Sequence, residues 1–238
     1  MFTTNHFIFL GIALLIIFGY LFIQKKFNFS YKTNLIALFC VCVASELIKI
    51  MVNMETTSEG TYLTQASLPF HLCSIQIFFV IYLLFFNKNE NTKNALLEFM
   101  FPSMCIGAGI ALFIPTVGVS FKRAIVYQFF IYHSYIIAFA INLVRTKTIR
   151  ITWKTLIRNL GILFGLTIFA IYFNSITQDH GSNFMYLARP PMKNLPFLNL
   201  NQGWYMYFVK LLVTAITLMF IFHLPFILIE NKKRKQNN

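Results

Sequence analysis

Charge is what this sequence has least of. Only 11% of the 238 residues are Asp, Glu, Lys or Arg, and just seven are acidic. A soluble domain carries about 25% charged residues, so this chain has too little polar surface to face water all round. Disorder is excluded as well, because 58% of the residues are hydrophobic. Cysteine is sparse too: four in the whole chain rule out a disulfide scaffold. No HExxH and no CxxC pair occurs. What the chain does have is 29 Phe, 11 Tyr and a mean hydropathy of +0.66. These point to a polytopic membrane protein. The net charge of +13 lies in short stretches between apolar runs rather than in soluble patches with interleaved aromatics, so it implies no nucleic-acid partner.

Seven runs are long enough to span a bilayer, which takes about 20 mostly apolar residues. They are Phe7–Ile23, Leu35–Val52, Leu68–Phe86, Leu96–Ile114, Ala124–Val144, Leu156–Ile176 and Trp204–Ile229. Barrel strands of roughly 10 alternating residues do not fit runs this continuous. An all-α bundle of about seven transmembrane helices follows, as one integral membrane domain over residues 1–238. The first run has neither a basic n-region nor an A-x-A-like cleavage site, and it reads as a retained helix.

Lys and Arg set the expected orientation. One set of connections holds Lys25, Lys26, Lys32, Lys88, Lys93, Arg145, Lys147, Arg150, Lys154, Arg158, Lys232, Lys233, Arg234 and Lys235. The other holds only Lys122, Arg123, Arg189 and Lys193. That bias places the N-terminus outside and the C-terminus in the cytoplasm.

Polar residues inside spans are expensive and mark candidate sites. Here they are Glu46, Lys49, His71, Cys73, Gln76, Glu98, Gln128, His133, Ser134, Asn174, Lys210 and His223. Most of them fall in the outer half or near the midplane. Each also has a structural reading. Glu46 and Lys49, at i,i+3, can neutralise one another. Lys210 can snorkel to headgroups. Trp204, Tyr205 and Tyr207 suit an aromatic belt. Cys40, Cys42 and Cys105 read as small buried hydrophobes.

Cys73 stands apart, in Ser67-Leu68-Pro69-Phe70-His71-Leu72-Cys73. Pro69 suits the first turn of a helix, capped by Ser67 or Leu68, which predicts Cys73 just past that turn. The helix end favours a thiolate only slightly, so a nucleophilic Cys73 needs an imidazole. His71, at i−2, diverges from it on a helix; His133 on another span is the better candidate base. His71, Cys73, His133 and His180 could supply zinc ligands, but their spacing matches no recognised site, and neither metal nor cofactor is predicted.

The string Leu68-Pro69-Phe70-His71-Leu72-Cys73 resembles the LPLHLC block of the YwaF-like integral membrane family, bacterial relatives of the vertebrate acyltransferase called transmembrane protein 164. The family's other landmarks follow in order: Glu46, Gly60, Tyr132-His133-Ser134, Asn174, a loop reading Gly181-Ser182-Asn183-Phe184-Met185-Tyr186-Leu187-Ala188-Arg189-Pro190, and Gly203-Trp204-Tyr205-Met206-Tyr207. The likeness covers about residues 35–230. Phe70 and Phe184 depart from the pattern, and Ala108-Gly109-Ile110-Ala111-Leu112-Phe113-Ile114-Pro115 stands where the family has a Gln-rich motif.

The resemblance implies an acyltransferase that moves a fatty acyl group between (lyso)phospholipids through an acyl-thioester on Cys73, with His133 as base. Its partners would be membrane lipids, as acyl donor and lysolipid acceptor. His71, Gln76 or Asn183 would supply oxyanion donors, and Glu46 or Asn174 would orient His133. Arg189, Lys193 and Lys210 are candidates for holding a lipid phosphate. A short chain of this type suggests a bacterial plasma membrane. Two alternatives stand beside it. One is a solute transporter or receptor working through Glu46, Lys49 and Lys210. The other is a lipid esterase that uses the same Cys–His pair with water as acceptor.

Overall fold

The computed structural model describes residues 2–57, 60–177, 181–192 and 195–237. Helices α1 (Thr4–Phe27) and α2 (Tyr31–Asn53) come first, followed by a small antiparallel hairpin, β1 (Met54–Thr57) and β2 (Gly60–Leu63). Next come the short α3 (Gln76–Ile81), continued by a π-helical turn over Tyr82–Phe86, and then α4 (Glu90–Phe113), α5 (Ala124–Arg145), α6 (Trp153–Ile176) and α7 (Gly203–Asn237). Among the described residues, six helices are long and apolar enough to cross a membrane, and the Gln76–Phe86 segment is a shorter apolar one. The expected all-α class is what forms.

Local chemistry sets the helix starts. Thr3, Ser30, Asn89 and Thr152 each accept a backbone N–H of the first turn through the side chain, satisfying a donor the helix itself cannot. Thr152 and Thr155 bond reciprocally as a capping box. Asn28, in the left-handed region at φ 46°, closes α1.

Helix α5 is the hub, packing on α4, α1 and α2, while α4 reaches on to α6 and α7. Its seam with α4 is apolar: Met100, Met104 and Ala108 share one buried core with Ile136, Phe139 and Ala140. In lipid such packing rests on van der Waals contact and small residues rather than on a hydrophobic force. The outer faces of α1, α6 and α7 show the converse. Leu15, Phe18, Ile157, Phe164 and Ile221 are all exposed, a pattern that only an apolar solvent accommodates.

The third run departs from expectation. Leu68 to Ile75 form a chain of turns, and regular helix begins only at Gln76, so Pro69 is not in a first helical turn and Cys73 precedes the helix. The reason is competition for carbonyls. Gln76 Nε2 donates to the Leu72 carbonyl at 2.9 Å, and the Tyr132 hydroxyl donates to the Cys73 carbonyl at 2.6 Å.

A similar substitution occurs in α4. Pro102 has no N–H and leaves the Glu98 carbonyl without its helical donor. Asn159 of α6 supplies it, with Nδ2 at 2.9 Å from that carbonyl and 3.1 Å from His223 Nε2 of α7. The Glu98 and Arg158 side chains form an ion pair alongside. Asn159→Ala should therefore lower stability in detergent by about 1 kcal/mol, a typical size for an interhelical hydrogen bond. In a Pro102→Ala background, where residue 102 regains its N–H, the loss should shrink. Equal losses in thermal melts of both backgrounds would refute the account.

Candidate functional site

The helices alternate in direction, so one end of the bundle gathers the close of α2, the turns at residues 68–75, the first half of α5 and the loop between α6 and α7. Cys73 is half-buried in its turn and packs on the main core. A Cβ added at Gly107 of α4 would stand 3.2 Å from Cys73 Sγ, so the thiol lies directly against a glycine. The 2.6 Å bond from Tyr132 joins the Cys73 backbone to α5, one residue from His133.

His133 is buried, and its Nδ1 lies 2.7 Å from the Phe129 carbonyl. A carbonyl only accepts, so Nδ1 carries the proton and Nε2 keeps its lone pair. The orienting group is therefore this backbone oxygen one turn back, and not Glu46 or Asn174 as expected. Glu46 pairs with Lys49 at 2.5 Å, the neutralised i,i+3 arrangement. Asn174 donates to the Phe184 carbonyl at 3.0 Å and accepts the Phe184 N–H at 2.7 Å. The thiol and the His133 imidazole share no direct hydrogen bond.

His71, half-buried, lies within electrostatic range of both Lys49 and His133. Its ring packs 5.2 Å from Tyr186 and 5.8 Å from Phe184, centroid to centroid. Gln76 is fully buried, and both of its amide hydrogens are taken, by Leu72 and by Ser103 Oγ at 3.1 Å. That leaves it no donor for an oxyanion; its role here is to hold the turn.

Phe184 and Tyr186 of the α6–α7 connection pack on the His71 ring, and the motif residues hold this described stretch together. Asn183 accepts the Ala188 and Arg189 N–H groups, each at 3.1 Å, and donates to the Arg189 carbonyl at 2.8 Å. Met185 and Tyr186 both adopt left-handed backbone, φ 54° and 57°, a strain that non-glycine residues keep only where neighbours impose it. Asn174 imposes it from α6. From α7, Trp204 donates to the Leu187 carbonyl at 2.9 Å, and Tyr207 to the Tyr186 carbonyl. Tyr207 is wholly buried, so it anchors the loop rather than joining an aromatic belt. Burial also pushes the Tyr186 hydroxyl above its ordinary value of 10.0, against a smaller opposing hydrogen bond from Thr116, and keeps it a proton donor at neutral pH.

Of the cationic candidates, Arg189 and Lys210 have separate partners among the described residues. Arg189, exposed, donates to the Gly181 carbonyl. Lys210 donates to Gln202 at 2.7 Å and sits 5.6 Å over the Phe197 ring. Lys193 and His180 lie outside the described residues. Among the described residues, no three His, Cys, Asp or Glu side chains are grouped to hold a metal ion.

Sequence reasoning missed Gly107, and it named Tyr132, Tyr186 and Tyr207 without giving them the backbone-holding contacts they make. Tyr132 carried the one available signal, a hydroxyl beside the candidate base. The helices and this buried polar end define a polytopic helical membrane protein. The family profile described as the TMEM164 family matches residues 1–223, and the chain belongs to that family. No curated protein and no solved structure matches it.

The glycine contact yields a paired test. Gly107→Ala forces a methyl onto the thiol and should destabilise the protein by about 1–3 kcal/mol, the usual range for overpacking. It should also slow alkylation of Cys73. Gly109→Ala, with open space around it inside the same helix, should leave labelling unchanged and raise stability by up to about 1 kcal/mol. The packing account fails if the two variants behave alike.

Proposed function

We propose that this protein transfers a fatty acyl group between (lyso)phospholipids, with Cys73 as nucleophile and His133 as base. The observation that carries the proposal is the Tyr132–Cys73 hydrogen bond, which ties the turn bearing the thiol to the helical turn bearing the imidazole. The tautomer of His133 supports it, since Nε2 is the nitrogen left able to accept a proton.

The chemistry runs in two halves. His133 Nε2 takes the Cys73 thiol proton, and the thiolate attacks the ester carbonyl carbon of a donor lipid. The ester C–O bond breaks, and the imidazolium proton passes to the departing alkoxide, releasing a lysolipid. A second lysolipid then gives its hydroxyl proton to Nε2 and attacks the thioester. The C–S bond breaks, and the thiolate regains its proton. Because thiol and imidazole are not bonded at rest, the base engages as the lipid seats, consistent with the loose geometry common in empty sites. The Tyr186 hydroxyl and His71 are the candidate donors to an oxyanion, and Arg189 is the candidate for holding a lipid phosphate. The basic-residue bias supports a setting of this end of the bundle toward the outer leaflet. Closure by the α6–α7 loop limits water, which favours transfer over hydrolysis.

Lipidomics of cells expressing the native chain, Cys73→Ala or His133→Ala tests this. Both variants should fold and both should lose remodelling, with His133→Ala slower by about 10²–10⁴-fold, the usual contribution of a general base. Unchanged lipid profiles with Cys73→Ala would overturn the reading.

A further inference from the structure

The side chains that hold the left-handed stretch at Met185 and Tyr186 do not all hold the same residue. Asn174 bonds the backbone of Phe184, and Trp204 bonds the carbonyl of Leu187. Tyr207 bonds Tyr186 itself, donating its hydroxyl to the Tyr186 carbonyl. Tyr207 is 0% exposed, so that hydroxyl has no water to turn to. Rotating the Tyr186 peptide toward right-handed backbone would swing its carbonyl away and leave a buried donor unpaired. The cost of an unpaired buried donor and the cost of a left-handed residue are of the same order. One hydroxyl on α7 is therefore enough to decide which way Tyr186 points.

The direction matters because of what the phenol meets. Its ring packs 5.2 Å from the ring of His71, two residues before Cys73. Its hydroxyl has Thr116, on the connection between α4 and α5, as a hydrogen-bond partner. The same hydroxyl lies within electrostatic range of Cys73. The phenol thus joins two connections beside the turn that bears the thiol.

We infer that Tyr207 is a positioning residue: through the Tyr186 carbonyl it holds the Tyr186 phenol beside Cys73, where that hydroxyl donates to the oxyanion of acyl transfer. When the thiolate adds to the ester carbonyl carbon, the carbonyl oxygen takes the electron pair. The phenol donates a hydrogen bond to that oxygen and keeps its proton, and the bond weakens as the carbonyl re-forms. The role of the phenol rests on the acyl-transfer reading; its placement rests on geometry alone.

A mutant cycle on the full chain in lipid nanodiscs tests this, with a phospholipid donor, a lysophospholipid acceptor, and kcat and KM as readouts. Tyr207→Phe keeps the buried ring and removes only the hydroxyl, so kcat should fall about tenfold with KM little changed. Tyr186→Phe should lower kcat about a hundredfold, as for a lost oxyanion donor. The double variant should be no slower than Tyr186→Phe, because Tyr207 acts only through that phenol; independent losses would multiply. 4-Aminophenylalanine at position 207 restores a donor at the same point and should recover most of the rate. Tyr205→Phe, on an exposed side chain of the same helix, should change nothing. Thr116→Val, at an exposed position, reads the same placement if Tyr207→Phe does not fold, and it too should add nothing to Tyr186→Phe.

A second readout is independent of turnover. By fluorine NMR, 3-fluorotyrosine at position 186 should titrate above the free amino acid, as burial requires, and Tyr207→Phe should bring it back toward the free value. A native chain that shows this shift but transfers no acyl group would overturn the acyl-transfer reading and leave the placement standing. An active chain in which Tyr207→Phe keeps full kcat, or in which the two single losses multiply, would overturn the positioning role. So would a native 3-fluorotyrosine that titrates at the free value.

Discussion

In a bilayer, a backbone carbonyl or N–H that leaves the helix must find a partner inside the protein, because no water is there to replace it. Everything distinctive about this chain is arranged around that constraint. At residues 68–75 the chain is not regular helix, and Gln76 and Tyr132 take up the Leu72 and Cys73 carbonyls. At Pro102 a carbonyl is released inside α4, and Asn159 reaches across from α6 to meet it. Above the first of these sites, Asn174, Trp204 and Tyr207 hold the backbone of a strained loop.

The consequence is chemical as well as structural. A cysteine inside a regular helix packs against its own turn, with little freedom to meet another element. Released into a turn, Cys73 lies against Gly107 on one side, while its backbone is held by α5 on the other. The same α5 presents His133 with a fixed tautomer, set by its own helix and needing no carboxylate. Broken backbone at membrane depth, retained at the expense of several buried polar side chains, is therefore the structural basis of the candidate site.

Much of this architecture was legible in the residues. Continuous apolar runs located the spans because nothing but helix satisfies a backbone in lipid, and the i,i+3 spacing of Glu46 and Lys49 anticipated their pairing. The interruption of the third run was not legible. Leu68 to Ile75 is as apolar as a span, and Pro69 reads naturally as a helix start. The donors that divert its carbonyls include Tyr132, 59 residues further on, so no local pattern announces them. Asn174 stood out as a polar residue within a span and Asn183 as a motif member, each with a chemical role in view. Their work on the loop backbone, rather than on the imidazole or an oxyanion, depends on contacts that only the folded chain provides.

The central claim is that Cys73, freed from its helix, carries an acyl group. The most direct measurement is the intact mass of the native protein quenched at low pH during incubation with a phospholipid donor. The account predicts a mass increase of one acyl chain, mapped to the peptide containing Cys73 and removed by neutral hydroxylamine, as a thioester requires. Lipid turnover with no such adduct, or an adduct that persists in Cys73→Ala, would contradict it.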